Sequence, residues 1–227
     1  MLGLSDHDNL GGRLQEIRSW WLGRRDELSQ FLGDASKDKC IYLLKQYAPT
    51  ALLDGCWMQN FSSAVNSHTK VAAGILKLYS YEIGDGDHAM HHGNAFRDLM
   101  QGLGIYLPEA ATVSFIEQRD VSDASFSYPV FLLSISQFPR SLAPELLGVT
   151  LFYYVCGICP VYYSLRERLV TFGASTRFLD THRLEPSVHG PAETIVGVIK
   201  HYLETVAACS SGGVGEHCVV RHEYGSR

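Results

Sequence analysis

Residues 68–103 read HTKVAAGILKLYSYEIGDGDHAMHHGNAFRDLMQGL, and this stretch decides the fold class. Its apolar residues recur at helical spacing from His68 to Ile83. Two glycines and two aspartates follow over residues 84–87, a composition that favours a turn, and Asp87 is placed to cap a second helix that runs to about Leu103. The stretch therefore predicts two helices joined by a tight break.

Helical patterns continue on both sides of this pair. An apolar stripe through Trp21 ends at Gly33, Ser36 is a predicted N-cap of a helix through Gln46, and Pro49 is predicted to open the next helix. Further helices are predicted at 109–118, 122–137, 143–172 with a kink before Pro160, and 193–208. The one β-like run, 128–135, lacks alternation and is interpreted as buried helix. The sequence thus predicts an all-α protein.

Length and composition indicate one domain. The chain has 227 residues, of which 46% are apolar and 19% charged, near the averages for globular proteins. Single cores keep growing to about 250 residues, so we expect one helical domain over residues 1–209. Residues 210–227 are rich in glycine, serine and polar side chains, and we expect a flexible tail there.

Charge and hydropathy disfavour several functions. A net charge of -5 and a pI near 6.0 oppose nucleic-acid binding, which needs clustered Lys and Arg. Residues 146–165 carry no charge, but Gly148, Gly157 and Pro160 interrupt them, so we expect a buried bundle helix and no membrane span. Residues 1–13 lack the apolar core of a signal peptide, and the expected compartment is the cytoplasm.

The six cysteines are too sparse for a disulfide scaffold, and we expect free, mostly buried thiols. Cys156 and Cys159 have the spacing of a redox pair but lie within an apolar helical run, where that chemistry is disfavoured. Cys56 is either the nucleophile of a helical hydrolase or a packed core thiol, and the second interpretation is favoured.

Glu82 and His92 form the strongest candidate for a metal site. On one unbroken helix they would lie about 80° apart in azimuth and about 15 Å apart along the axis, too far to share an ion. The break at residues 84–86 can fold one helix end beside the next helix start, and the two side chains then converge. The alternative is that Glu82 is a solvated helix-end charge and that His92 shares a polar face with His88 and His91.

His182, Glu185 and His189 form a second candidate. On one helix the two histidines would share a stripe about 10.5 Å long, which suits two neighbouring ions better than one. Helical bundles build di-iron sites from such inward-facing side chains. Pro186 forces a kink or a restart between the histidines. The alternative is a surface helix with two solvated imidazoles.

Several segments together resemble the haem-oxygenase-like di-iron oxidases, a family of iron-containing redox enzymes. They are residues 47–59, 81–87, 92–94, 138–140 and 144–148, and the resemblance extends from about Tyr47 to Leu203. It implies a bundle of about seven helices without haem. It also implies that Glu82, His92, His182 and His189 bind iron.

Two departures from the family pattern concern carboxylate ligands. The family acid between the later histidines falls on Pro186, so Glu185 must substitute from one position earlier. Tyr154 stands where the family has a central-helix glutamate, which makes it a candidate catalytic residue. A neutral phenol is a poor ligand for ferrous iron, so we expect two iron positions of which the second is weak. Glu145 is a fallback ligand, and Asp54 is a more speculative one.

The resemblance implies an oxidase that uses dioxygen to remove hydrogen from a free, aliphatic amino acid in natural-product biosynthesis. Desaturation with C–N ring closure, such as isoleucine to an azetidine amino acid, is the expected outcome. N-oxygenation, C–C cleavage and nitrile formation remain alternatives, as does a non-catalytic helical binding protein. An external electron donor and a homodimer are kept open as partners. Arg140 and Lys77 are candidates for binding the substrate carboxylate, and the expected pocket walls are Trp57, Phe126, Phe131 and Tyr153.

Overall fold

The computed structural model describes residues 10–157, 159–181 and 190–210, and these residues form helices and turns with no strand among them. The all-α prediction is confirmed for these ranges. The helices are α1 Leu10–Leu32, α2 Lys37–Ala51, α3 Lys70–Glu82, α4 His92–Gly102, α5 Val113–Ile116, α6 Ala124–Gln137, α7 Ala143–Cys156, α8 Pro160–Tyr163, α9 Arg166–Thr171, α10 Arg177–Thr181 and α11 Pro191–Ser210. Residues 211–227, most of the predicted tail, lie outside the described ranges.

One predicted cap starts its helix and the other does not: Asp87 caps only a 3-10 turn at His88–Met90, and α4 begins at His92 with His91 as its cap. Ser36 accepts a hydrogen bond from the amide of Lys39 and caps α2, as predicted. The prediction that Pro49 opens a new helix is wrong, because Pro49 lies in the last turn of α2. Gly55, with φ 78°, then diverts the backbone, and only a 3-10 turn at Cys56–Met58 follows where a full helix was predicted.

Two other predicted helices are shorter than expected. The segment 109–118 contains only α5, and the predicted helix 143–172 is divided into α7, α8 and α9. The first break falls at Gly157, whose φ of 73° ends α7 before Pro160 begins α8. The β-like run 128–135 is helical as predicted, but it is only half buried, since Val130 and Phe131 are exposed.

The buried side chains form two clusters. One joins α2, α4, α9 and α10 around Leu44, Phe96 and Phe178. The other joins α3, α6, α7 and α11 around Trp57 and Ile75. Helix α3 ends in the second cluster and α4 begins at the first, so the turn between them joins the two. The chemistry described below lies at this junction.

One apolar stretch, residues 143–162, is long and apolar enough by length and composition to cross a membrane. In the structure it bends at Gly157, and α7 packs against α1, α6 and α11. Thr150 and Tyr153 of α7 are buried in these contacts. The prediction that the stretch is a bundle helix agrees with this packing, but only 35% of the apolar window is buried, so the expected full burial is wrong. The absence of a membrane role stays a prediction.

Candidate metal centre

The turn between α3 and α4 brings Glu82 and His92 together. Gly84, Asp85 and Gly86 have φ values of 88°, 51° and 91°, so the backbone runs through three consecutive left-handed residues. Glycine adopts this conformation without a steric penalty, and aspartate is among the few other residues that tolerate it. The reversal leaves Nδ1 of His92 2.6 Å from Oε2 of Glu82. The predicted convergence across the glycine break is confirmed.

Asp54 completes a group of three. It follows α2, and its Oδ2 lies 3.3 Å from Nδ1 of His92. The donor atoms of Asp54, Glu82 and His92 all lie within 4.8 Å of one another. The three residues are 8%, 0% and 2% exposed, respectively. From sequence, Asp54 was only a speculative ligand, and in the structure it is a full member of this group. We call Asp54, Glu82 and His92 the acid–imidazole group.

Two adjacent tyrosines of α7 hold the two carboxylates. The hydroxyl of Tyr153 donates to Oδ1 of Asp54 at 2.5 Å, and the hydroxyl of Tyr154 donates to Oε1 of Glu82. The other oxygen of each carboxylate, Oδ2 or Oε2, is the one that lies near His92. Each tyrosine therefore orients one carboxylate so that its second oxygen faces the centre of the group.

The protonation states follow from burial and from these contacts. Burial alone would lower the pKa of His92, but hydrogen bonds and charges from Asp54 and Glu82 outweigh it and raise the pKa to about 10. Burial, with the nearby carboxylates, raises the pKa of Tyr153 and of Tyr154 well above the usual value for a phenol. In the metal-free protein an imidazolium thus faces two carboxylates, and both tyrosines remain protonated donors.

The donor set fits a divalent cation. Ligand atoms about 2.1 Å from one ion and at right angles to each other lie about 3 Å apart, close to the spacing seen between His92 and Asp54. Two carboxylates and one imidazole suit iron, zinc or manganese, and the site lacks the thiolates that would select a soft metal. A cation would replace the positive charge that the proton on His92 supplies.

The other predicted ligands do not join this group within the described residues. His182, Glu185 and His189 lie outside the described ranges. Glu145 is exposed in the first turn of α7, eight residues and therefore about 12 Å before Tyr153 along the helix. The expectation that Glu145 joins the site is not supported by its position.

The predicted role of Tyr154 also changes. Tyr154 was expected at a ligand position, and it does lie beside the site, but its contact is with Glu82 through a donated hydrogen bond. A protonated phenol that already donates to a carboxylate is a weak metal ligand. Tyr154 is therefore described better as a residue that positions Glu82.

The thiol alternatives lose support. Burial, with Asp54 nearby, raises the pKa of Cys56 to about 12, so this thiol stays protonated and is a poor nucleophile. Burial likewise raises the pKa of Cys156 to about 11. Both residues are buried, as the core interpretation predicts.

Asp54 and Tyr153 have larger roles in the site than their local sequence indicates. Asp54 stands in a run from Ala51 to Met58 that is otherwise apolar apart from glycine, and a lone acid in such a run is a signal for a buried functional carboxylate. Tyr153 was expected only as a pocket wall, and nothing local distinguishes it from the other tyrosines of α7 and α8. Its bond to Asp54 joins residues 99 positions apart.

Comparison with known proteins adds no further assignment, because no family model, no curated protein and no solved structure matches this chain.

Proposed function

We propose that this protein is a non-haem iron oxidase with a haem-oxygenase-like helical bundle, in which Asp54, Glu82 and His92 hold a ferrous ion. The observation that carries the proposal is the burial of two carboxylates and an imidazole whose donor atoms lie within 4.8 Å of one another. Burying two carboxylates costs free energy unless a positive charge compensates them. Imidazole and carboxylate donors with open positions are also what non-haem iron requires to react with dioxygen.

A second iron, held by His182, Glu185 and His189, completes the proposed centre. Thr181, the residue before His182, supports this: its carbonyl accepts a hydrogen bond of 3.2 Å from Tyr81, whose ring packs 5.3 Å from that of His92. The second position is the weaker one in our proposal, because Tyr154 and Pro186 stand where carboxylates are expected.

The chain's own residues prepare the site for the reaction. Tyr153 and Tyr154 orient the carboxylates, and Trp57 packs against the ring of Tyr153 at 5.0 Å and shields it from water. When bound, iron supplies the reaction with dioxygen and the oxidising power that removes hydrogen from an unactivated C–H bond, with an external donor providing further electrons. The resemblance suggests a free aliphatic amino acid as substrate and desaturation with azetidine formation, as in the polyoxin-pathway enzyme, as the outcome.

The test is an anaerobic titration with ferrous iron, followed by oxygen exposure with a panel of aliphatic amino acids and their amides. We expect one tight and one weak iron position, substrate-dependent oxygen uptake, and loss of both turnover and iron in His92→Ala. His182→Ala and His189→Ala should also lose turnover, whereas Cys56→Ser should keep it. Activity that survives complete iron removal would point to a metal-independent enzyme. No oxygen uptake by the iron-loaded protein with any compound of the panel would favour the non-catalytic alternative.

A further inference from the structure

A pocket beside the acid–imidazole group has six aromatic residues among its fourteen lining residues. It has a volume of about 670 Å³ and lies between α1, α2, α6, α7 and α8. Pockets of roughly 300–1,000 Å³ typically enclose a drug-sized molecule, so this one is larger than a single small aliphatic side chain requires. Its six aromatic residues are Trp21, Tyr47, Tyr128, Phe152, Tyr153 and Tyr162. We call it the aromatic pocket.

Tyr153 joins the aromatic pocket to the acid–imidazole group. Its side chain forms part of the pocket wall, and its hydroxyl donates to Oδ1 of Asp54 at 2.5 Å. Trp57 packs on the ring of Tyr153 and is itself 1% exposed. A molecule that contacts Tyr153 in the pocket is therefore separated from Asp54 by one side chain.

The pocket offers no charged partner to a ligand. In the part of the chain that the structure describes, its lining contains no Lys, Arg, His, Asp or Glu. The amide of Gln46 is already engaged, because Nε2 donates to the carbonyl of Asp120 and Oε1 accepts from the amide of Ser122. Lys77 and Arg140, the sequence candidates for a carboxylate partner, are exposed and do not line the pocket.

Electrostatics disfavour a charged ligand of either sign. Burial first, and the charge of Asp54 second, raise the pKa of Tyr128, which keeps it a neutral phenol, so an anion finds no charged partner among the described lining residues. A cation would gain attraction to the aromatic rings, but that gain is smaller than the cost of removing an ammonium group from water without a carboxylate partner. An uncharged apolar ligand meets neither penalty.

We infer that the aromatic pocket binds a long, uncharged hydrophobic compound and holds it one side chain, that of Tyr153, away from the acid–imidazole group. That this ligand influences a bound metal rests on the proposed function, whereas its binding in the pocket does not.

Calorimetric titration of the metal-free protein with matched probes tests the ligand class. We expect octanamide to bind, with affinity rising about fourfold per methylene from hexanamide to decanamide, because each buried CH₂ contributes a roughly constant free energy. Octanoate and octylammonium should bind at least about tenfold more weakly. Affinity that does not depend on chain length, or a charged probe that binds more tightly than its amide, would overturn the inference.

A pair of glycine variants tests the location. A Cβ at Gly148, which lines the pocket, meets nothing within 4 Å, so Gly148→Leu fills space there without a collision at its Cβ. Gly197→Leu is the control, because a Cβ at Gly197 on α11 also meets nothing within 4 Å and Gly197 does not line the pocket. We expect Gly148→Leu to weaken octanamide binding about tenfold or more and Gly197→Leu to leave it unchanged. Equal binding by both variants would place the site elsewhere.

Cobalt(II) separates this inference from the proposed function. In the cobalt-loaded protein, octanamide should change the visible absorption of the ion through Tyr153 and Asp54, and Gly148→Leu should abolish that change. A spectrum that is unaffected by bound octanamide would overturn the link between the pocket and the metal site. Failure of oxygen uptake with iron, while octanamide binding and the cobalt shift persist, would reject the oxidase function and leave the pocket assignment intact.

Discussion

At the scale of single residues, His92 is where protons and metal compete. Hydrogen bonds to Asp54 and Glu82 outweigh the effect of burial and raise its pKa from 6.5 to about 10. A group whose pKa is raised on folding contributes stability that is complete below the unfolded pKa and is lost as pH rises through the folded pKa. The metal-free protein should thus depend on a protonated His92.

We therefore expect the free energy of unfolding of the metal-free protein to fall as pH rises from 6.5 towards about 10. Urea unfolding in the presence of a chelator measures this at several pH values. His92→Gln, which cannot carry the proton, should have a flatter profile than the wild type. The same slope in both proteins would mean that other groups cause it.

The two tyrosines of α7 lead to a second prediction. Tyr154→Phe removes the hydroxyl that donates to Glu82, and Tyr153→Phe removes the one that donates to Asp54. Loss of a group that orients a metal ligand typically costs 10- to 100-fold in metal affinity, and we expect a loss of about tenfold or more for each variant. Cobalt titration measures it, with Tyr79→Phe on α3, in the same apolar cluster, as the control. Unchanged affinity in both α7 variants would remove their positioning role.

At the scale of elements, the site depends on two breaks in helical structure. The left-handed turn at residues 84–86 folds α4 back beside the end of α3. Gly55 ends the segment after α2, and its φ of 78° places its backbone against Glu82. A Cβ at position 55 would lie 2.7 Å from Cβ of Glu82. The lack of a side chain at this position is therefore required by the site as well as by the turn.

Gly55→Ala should displace Glu82 and weaken cobalt binding strongly, by more than about tenfold. Gly104→Ala is the matched control, because Gly104, outside the turn at residues 84–86, has a φ of 85° that imposes similar backbone strain, but its Cβ would meet nothing within 4 Å. Both variants should lose about 1 kcal/mol of stability from left-handed alanine, and only Gly55→Ala should lose the metal. Equal metal affinity in the two proteins would contradict the close contact with Glu82.

At the scale of the whole molecule, the acid–imidazole group connects the two buried clusters. Glu82 ends α3, and α3 packs in the cluster around Trp57. His92 begins α4, and α4 packs in the cluster around Phe96. Asp54 comes from a third segment, between α2 and the 3-10 turn. A cation that binds all three side chains therefore stabilises the packing of the two clusters against each other.

A metal that binds only the folded protein should raise its apparent stability by about 2.7 kcal/mol at a free concentration 100 times the Kd. We expect cobalt or anaerobic ferrous iron to raise the Tm of the wild type in a concentration-dependent way. Asp54→Asn should reduce this shift sharply, and Glu145→Gln, at an exposed position on α7, should keep it. An equal shift in Asp54→Asn would remove Asp54 from the ligands.

Local features of the sequence determined the helical class of this protein and one contact of its metal site. Apolar spacing, the cap at Ser36 and the glycines at 84 and 86 predict the helical class and the reversal that joins Glu82 to His92, because each depends on residues only a few positions apart. Local pattern was insufficient at Pro49, since packing in the core keeps this buried proline inside α2 despite its missing N–H.

Only the tertiary structure decided the rest of the site. The contacts of Asp54 with His92 and Tyr153 join residues 38 and 99 positions apart, and that of Tyr154 with Glu82 joins residues 72 apart. No spacing rule relates such distant positions, because α3 and α7 are brought together by α11, which packs against both, and such packing depends on entire helix faces. The same packing leaves the aromatic pocket between α1, α2, α6, α7 and α8. The sequence thus predicted which residue types could bind a metal, and the packing of distant helices selected which of them meet.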